Sequence, residues 1–243
     1  MSGRKALLWG LGLVSVMLSA AGIWHLEAGL YPLRYVRVTG EVQHLHIQEV
    51  QQVLQPLLKG YWSVDLGQAE EAVEKLAWVE HALVQRIWPD TLELVIREQV
   101  PEVRWGERAL LNQRGDVFQP ETLQGYRHLP RLKGPENYRR RLFLAYRRMN
   151  EALAPLAMRI EVLEVDSRRS WQVKLGGGPE IQLGRVSPEA TFARLVRAMV
   201  RLGKEKCQQI ERLDGRYEHG FAVRWQREGK TQGERTLKLE QHG

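Results

Sequence analysis

Few residues in this 243-residue chain could do chemistry, and their spacing does not favour it. His44 and His46 stand two apart, with no third ligand at a spacing that zinc uses. Asp65, Glu70, Glu71 and Glu74 crowd the start of a helical pattern, where the helix dipole favours acids without any catalysis. Gly176-Gly177-Gly178 lacks the Lys-Ser/Thr that completes a phosphate loop, so it reads as a hairpin turn. The single cysteine, Cys207, follows Lys204-Glu205-Lys206 and has no base beside it. It reads as a partly buried small apolar residue, with an intermolecular bridge as the alternative; an internal disulfide is impossible. There is no Gly-x-Ser-x-Gly, Ser-x-x-Lys or His-Glu-x-x-His. No catalytic residue, metal, cofactor or small-molecule substrate is therefore expected.

What remains is binding. Residues 217–225 read as the last strand of a sheet, whose outer edge presents unpaired N–H and C=O groups to any chain able to add a strand. Phe221, Val223 and Trp225 fall on one face, and Ala222, Arg224 and Gln226 on the other. Packing of one face into the core is the alternative for Val223 and Trp225.

The element that places all others is residues 6–26, which contain no Asp, Glu, Lys or Arg. As a helix this run spans about 31 Å, the hydrocarbon thickness of a bilayer. Trp9 and Trp24 sit near its ends, at headgroup level. Arg4-Lys5 precede it and Glu27 follows, with no cation until Arg34, so residues 1–5 are expected in the cytoplasm and the bulk outside it. A cleaved signal peptide is the rival, with an apolar region over 7–18 and Ser19-Ala20-Ala21 as the small-residue site. Ile23, Trp24 and Leu26 prolong the apolar character and favour an anchor. Either way the rest is exported.

The net charge is +7, and the exported part carries 34 basic against 29 acidic residues. That balance is modest, and an exported chain does not meet nucleic acid. Arg139-Arg140-Arg141, Arg147-Arg148 and Arg168-Arg169 read as solvated faces, with anionic lipid or an acidic partner as the functional alternative.

Along the exported chain, residues 27–33 are a linker and 33–38 a first strand. Ile47, Val50, Leu54, Leu57 and Leu58 mark a helix stopped by Lys59-Gly60, and Ala69, Ala72, Val73 and Leu76 a second. A strand over 79–87, a turn at Trp88-Pro89-Asp90 and a strand over 91–97 complete a β-α-α-β-β order, with both helices on one face of a small mixed sheet. Further on come short strands near Val103, Trp105, Leu110 and Leu111, and a turn at 112–118 with Gly115 at positive φ. A loop over 119–135 and a helix over 136–154 follow. Trp171, Val173 and Leu175 then form a hairpin with Ile181 and Leu183. A helix begins at Ser187 as N-cap with Pro188 at N1, and two strands run from 210 to 225. The tail from 229 to 243 is polar.

Leu33-Arg34-Tyr35-Val36-Arg37-Val38-Thr39-Gly40, then Trp88-Pro89-Asp90-Thr91-Leu92 and Ile96-Arg97-Glu98-Gln99-Val100-Pro101, resemble a POTRA domain of the FtsQ/DivIB cell-division family. Asn112-Gln113-Arg114-Gly115-Asp116-Val117-Phe118 stands where that family has Asp-x-x-Gly-x-hydrophobic-Phe, with Asn112 replacing the Asp. Leu129-Pro130-Arg131-Leu132-Lys133-Gly134, Arg168-Arg169-Ser170-Trp171, Leu183-Gly184-Arg185, Leu213-Asp214-Gly215-Arg216-Tyr217 and Gly220-Phe221-Ala222-Val223-Arg224-Trp225 resemble its β domain.

The resemblance implies an α+β chain: tail 1–5, transmembrane helix 6–26, linker 27–33, POTRA domain 34–102, mainly β domain 103–228 with flanking helices, and polar tail 229–243. It implies a non-enzymatic, single-pass (type II) scaffold of the inner membrane at the division septum, linking early and late division proteins. FtsB would bind the terminal strand, with FtsL arriving beside it. Tyr217, His219, Gly220, Phe221 and Trp225 would be the contacts, and Arg169 a charged companion on the neighbouring strand. His81, Val84 and Arg86 would form a second patch for recruitment of or by other division proteins such as FtsA-dependent partners and FtsK, with ordinary strand residues as the favoured alternative, and FtsW and FtsI would be further divisome partners. The competing readings are a POTRA-type assembly or secretion factor and an anchored periplasmic cell-wall hydrolase.

Overall fold

The computed structural model of the chain describes residues 32–217 and 220–226. The expected anchor at 6–26 and the polar tail lie outside these residues. Among the described residues no helix is long and apolar enough to cross a membrane. The chain forms two compact units, the first comprising residues up to 101 together with 110–122, the second 102–109 together with 123 onward.

In the first unit, β1 (Tyr35–Thr39), β3 (Thr91–Glu98) and β2 (Val79–Ile87) form a three-stranded sheet in that order. β1 runs parallel to β3 (Tyr35 opposite Thr91), and β2 antiparallel to it (Ile87 opposite Thr91). Between β1 and β2 come helices α1 (Ile47–Leu54) and α2 (Leu66–Glu74), which gives the expected β-α-α-β-β order. Val50, Leu54, Ala69 and Val73 pack with Ala82, Val84, Leu92, Leu94 and Ile96 in one core. The other face of β2 and β3 leaves Leu83 and Val95 exposed. α1 is shorter than its apolar spacing predicts. Pro56 has no N–H and cannot continue an α-helix, so the chain tightens into a 3-10 turn over Gln55–Leu57, and Ile47 stays 56% exposed rather than inside. Asp65 caps α2, accepting from the Gln68 N–H at 3.1 Å.

The loop between β1 and α1 is held by the buried Glu98 at the end of β3. Its carboxylate accepts from the His44 N–H at 2.9 Å, the Leu45 N–H at 2.8 Å and His44 Nδ1 at 3.0 Å. The His44 ring in turn stacks on Trp78, centroids 4.1 Å apart. Burial pushes the Glu98 carboxyl up, but the backbone N–H groups of His44, Leu45 and Gln43 together with the His44 ring outweigh it and hold it below the usual carboxylate range. A carboxyl whose folded value is depressed stabilises above its unfolded value and loses that contribution as pH falls through the folded one. Glu98→Gln should therefore destabilise the unit by about 2 kcal/mol at pH 7, a typical loss for hydrogen bonds to a charged group. Urea titrations repeated on both chains should show the gap closing as pH falls below the carboxylate range; a gap independent of pH would refute the assignment.

The hairpin β5–β6 (Ala109–Asn112, Val117–Phe118) clusters with this first unit over residues 110–122. Asn112 Nδ2 donates to Gln99 Oε1 at 2.8 Å, and Phe118 meets Trp78 edge-on with centroids 5.3 Å apart. Asn112 does the work expected of an aspartate in this turn: its Oδ1 accepts from the N–H groups of Arg114 and Asp116, both at 2.9 Å. Gly115 has φ +85 there, as the turn requires.

In the second unit the strands lie in the order β12 (Ala222–Trp225), β11 (Ile210–Asp214), β10 (Glu180–Gly184), β9 (Trp171–Leu175), β8 (Ile160–Val165), β7 (Arg131–Lys133), β4 (Pro101–Trp105). The two parallel pairs that follow one another in sequence, β7/β8 and β10/β11, are bridged by helices, since parallel neighbours need a crossover. The first crossover is α3 (Arg139–Ala152). The second is α4 (Pro188–Leu202) with the short α5 (Lys204–Gln208). Leu142, Phe143, Tyr146 and Met149 of α3 and Phe192, Leu195 and Met199 of α4 are buried, as are Trp171, Val173, Leu175, Ile181 and Leu183. The expected hairpin over 171–183 is present, with Ile181 opposite Val173 and Gly177 at φ +66.

Several local expectations change. Part of the 119–135 segment expected as loop is strand β7, and β8 was not foreseen. Ser187 sits at the N-cap of α4, but at φ +45 its hydroxyl makes no capping bond. Cys207 is fully buried rather than partly so, its Sγ donating to Met199 O at 3.3 Å, and burial pushes the thiol up. The thiol is thereby withheld from an intermolecular bridge.

Candidate functional site

β12 is the last strand of its sheet and pairs only with β11, so among the described residues its outer edge is uncovered. The Gln226 N–H donates to Gln209 O at 2.8 Å, so the preceding residue, Trp225, opposite Ile210, turns its own N–H and C=O away from β11. Backbone groups alternate along a strand. Val223 therefore also faces outward, while Ala222 and Arg224 bond to β11. Phe221 is 43% and Trp225 49% exposed, and Val223 is half-buried.

Residues 214–217, which lead toward this edge, are held by several hydrogen bonds. Arg194 of α4 donates through Nη2 to Gly215 O at 3.2 Å and Tyr217 O at 2.9 Å. The Gly215 N–H donates to Gln182 O at 2.8 Å. A Cβ at Gly215 would come within 2.8 Å of Leu195 Cδ1 and Thr191 Cγ2, so any larger residue would have to displace these side chains of α4. Arg216 forks onto Asp214, with Nη2 to Oδ2 at 2.6 Å and Nε to Oδ1 at 2.9 Å. That pairing holds the Asp214 carboxyl below the carboxylate range, against an opposing push from burial. Tyr217 leaves this fixed segment 56% exposed. Gly220 is half-buried, and His219 lies outside the described residues.

Beside Tyr217 opens a cleft of about 620 Å³, with Arg168, Arg185, Arg194 and Arg216 among its lining residues and no acidic side chain among the described residues that line it. Arg169, by contrast, occupies the turn between β8 and β9 at φ +64, its N–H bonded to Asp166 O. It is on no strand beside β12, which correlates with the turn's need for a left-handed residue; the neighbouring strand is β11, and it is Arg168 that reaches the cleft. These four arginines are 9 to 48 positions apart along the chain, so no local motif reveals them.

Two family models match the chain. "POTRA domain, FtsQ-type" covers residues 31–99, and "Cell division protein FtsQ/DivIB, C-terminal" covers residues 103–216. A Methylomonas methanica protein named cell division protein FtsQ is 33% identical over 217 residues, 86% of this chain and 87% of the relative. The chain belongs to the FtsQ/DivIB family of cell division proteins. Proteins of the same name from Xanthomonas campestris pv. campestris and Burkholderia pseudomallei are each 32% identical, over 90% and 87% of this chain and 80% and 87% of theirs. The FtsQ-family C-terminal match stops at Arg216, one residue before Tyr217, so the aromatic edge lies just past it.

On the POTRA unit the three expected patch residues do not share a face. Along β2, past the register slip between Val79 and His81, the even positions from Ala82 face the core: Val84 is 4% exposed, and Arg86 spends its guanidinium on Tyr61 O at 2.7 Å and Val64 O at 2.6 Å. Only His81 lies on the solvent face, paired with Glu74 at 2.7 Å. The edge of β2 is also covered. Glu74 accepts from the Ala82 N–H at 3.1 Å and Glu70 from the Val84 N–H at 2.9 Å, so α2 occupies donors that another chain would need. Among the described residues no group of three or more His, Cys, Asp or Glu is arranged to hold a metal.

Proposed function

We propose that this FtsQ-family chain is a non-enzymatic, single-pass scaffold of the bacterial inner membrane. Residues 1–5 are cytoplasmic, 6–26 are the anchor and the POTRA and β domains (34–102 and 103–228) are periplasmic, concentrated at the septum. Its β12 edge takes up a strand of FtsB, with FtsL arriving alongside, and so ties early division proteins to the later ones that build septal cell wall, FtsW and FtsI among them. The carrying observation is the open edge of β12 with outward main-chain groups at Val223 and Trp225, flanked by exposed Tyr217 and Phe221. Main-chain pairing supplies affinity and the aromatic rings supply anchors. The cleft adds specificity: the positive charge of its four lining arginines, of which Arg216 is shared with Asp214, suits acidic side chains on the segment of FtsB next to the added strand. On the POTRA unit, recruitment of FtsK falls to the solvent face of β2 that carries His81.

Tyr217→Ala is the test. Calorimetric titration of the full chain in detergent with the periplasmic part of FtsB should show affinity falling about 30-fold, the size of a hot-spot loss of about 2 kcal/mol. The ring is more than half exposed, so the thermal midpoint should stay put. Unchanged affinity would remove Tyr217 from the interface.

A further inference from the structure

One end of the POTRA unit carries three exposed aromatic rings that its fold does not use. Tyr35 is 63%, Trp62 56% and Trp88 72% exposed. They come from three segments: the start of β1, the loop after the 3-10 turn, and the β2–β3 turn. Two sets of hydrogen bonds gather them. The N–H groups of Arg34 and Tyr35 both donate to Asp90 O, at 2.9 and 3.3 Å, which ties the start of β1 to the β2–β3 turn. The Arg86 guanidinium donates to the carbonyls of Tyr61, Trp62 and Val64, which brings the loop to the last residues of β2. Buried Tyr61 meets Trp62 edge-on at 5.0 Å and props it outward. Among the described residues at this end, Arg34 and Lys59 are exposed, and with Arg86 they outnumber the acids Asp65 and Asp90.

This is also the end at which the chain enters the unit. Only residues 27–34 separate it from the apolar run at 6–26, and eight residues reach at most about 28 Å when fully extended. We infer that this aromatic end of the POTRA unit rests on the phospholipid headgroups of the membrane that anchors the chain. Tyr and Trp are the side chains that partition to the headgroup level, with an apolar ring for the acyl boundary and a polar group for water. Neighbouring cations add attraction to anionic lipid. The tether keeps the bilayer within reach at all times, whereas a protein partner would have to be recruited. The contact would fix the height and tilt of the POTRA unit above the bilayer.

The inference rests on the anchor reading, and one experiment separates the two. The full chain is reconstituted into vesicles of phosphatidylethanolamine and phosphatidylglycerol carrying a radiolabelled phospholipid. A benzophenone amino acid replaces Trp88, Trp62 or, as reference, Val100, which is 53% exposed just past the far end of the same hairpin. After illumination, label on the protein should be about five-fold higher from positions 88 and 62 than from 100, as interfacial partitioning requires. Protein that floats with the vesicles but labels equally from all three positions would overturn the headgroup contact and leave the anchor standing. Protein that does not float would overturn both.

Discussion

Alanine at Gly40 should strip the POTRA unit of most of its stability. Gly40 follows β1 at φ +122, a conformation that L side chains rarely adopt, and an added Cβ would lie 2.1 Å from Ile96 O. The obstacle is backbone of β3, the central strand, held by β1 on one side and β2 on the other, so it cannot swing away as a side chain would. Relief requires β1 to part from β3. Backbone strain of about 1–3 kcal/mol adds to that separation, and the total should reach about 4 kcal/mol or more, a large share of an ordinary domain's stability. Gly177→Ala is the matched control. It has φ +66 in the β9–β10 turn with nothing within 4 Å of the new methyl, so it should cost only the conformational term of about 1–2 kcal/mol. Hydrogen exchange on the full chain reads each unit separately. Core amides at 92–96 should lose protection in Gly40→Ala and keep it in Gly177→Ala. Full protection in the first variant would mean that the close approach of Gly40 to Ile96 is wrong.

Gly40 shows what a linear reading captures and what it misses. The β-α-α-β-β order was legible because each element is long enough for its own period: alternation over 79–87 and 91–97, and helical spacing around Val50 and Val73. α1 ends before its apolar spacing does, because that spacing runs on through Leu57 and Leu58 while Pro56 changes the hydrogen bonding ahead of them. β7 is three residues set between Pro130 and Pro135, and it is a strand only because β4 and β8 flank it in parallel. Its neighbour β8 slips register between Ile160 and Val162, so burial falls on Ile160, Leu163 and Val165 and breaks the alternation that would have marked it. α5, five residues long, is too short to display a period.

The candidate site divides the same way. Tyr217, Phe221 and Trp225 could be singled out because they are neighbours in sequence, but the strand expected over 217–225 is confined to Ala222–Trp225, so that Tyr217 and Phe221 precede it and only Trp225 lies on it. The arginine cleft could not, because the sheet and α4 gather it from four separate segments. Val84 and Arg86 were grouped with His81 by resemblance, and the alternation of β2 sends them to the opposite face. Glu98 was invisible as an anchor for the His44 loop, since nothing local tells a buried carboxylate at a strand end from an exposed one.

Proline placed at two adjacent positions of β12 should give opposite results, and this contrast tests the strand-addition reading most sharply. Val223 turns its N–H outward, so Val223→Pro removes a donor that the chain itself does not use. Proline is tolerated at such positions on edge strands, and the preceding Ala222 is already extended, as a residue before proline must be. The fold should survive with its thermal midpoint nearly unchanged, while FtsB loses a main-chain bond and meets a ring where its own strand must lie. Affinity should fall about 100-fold or more, since an unmade bond leaves a desolvated carbonyl on the partner as well. Arg224 turns its N–H inward, opposite Arg212. Arg224→Pro should therefore detach β12 from β11, and hydrogen exchange at the amides of 222 and 226 should rise. Binding would then be lost through the fold rather than through the edge. If Val223→Pro binds FtsB as tightly as the unaltered chain, no strand is added at β12, and Tyr217 and Phe221 act, if at all, as side-chain contacts on a closed surface.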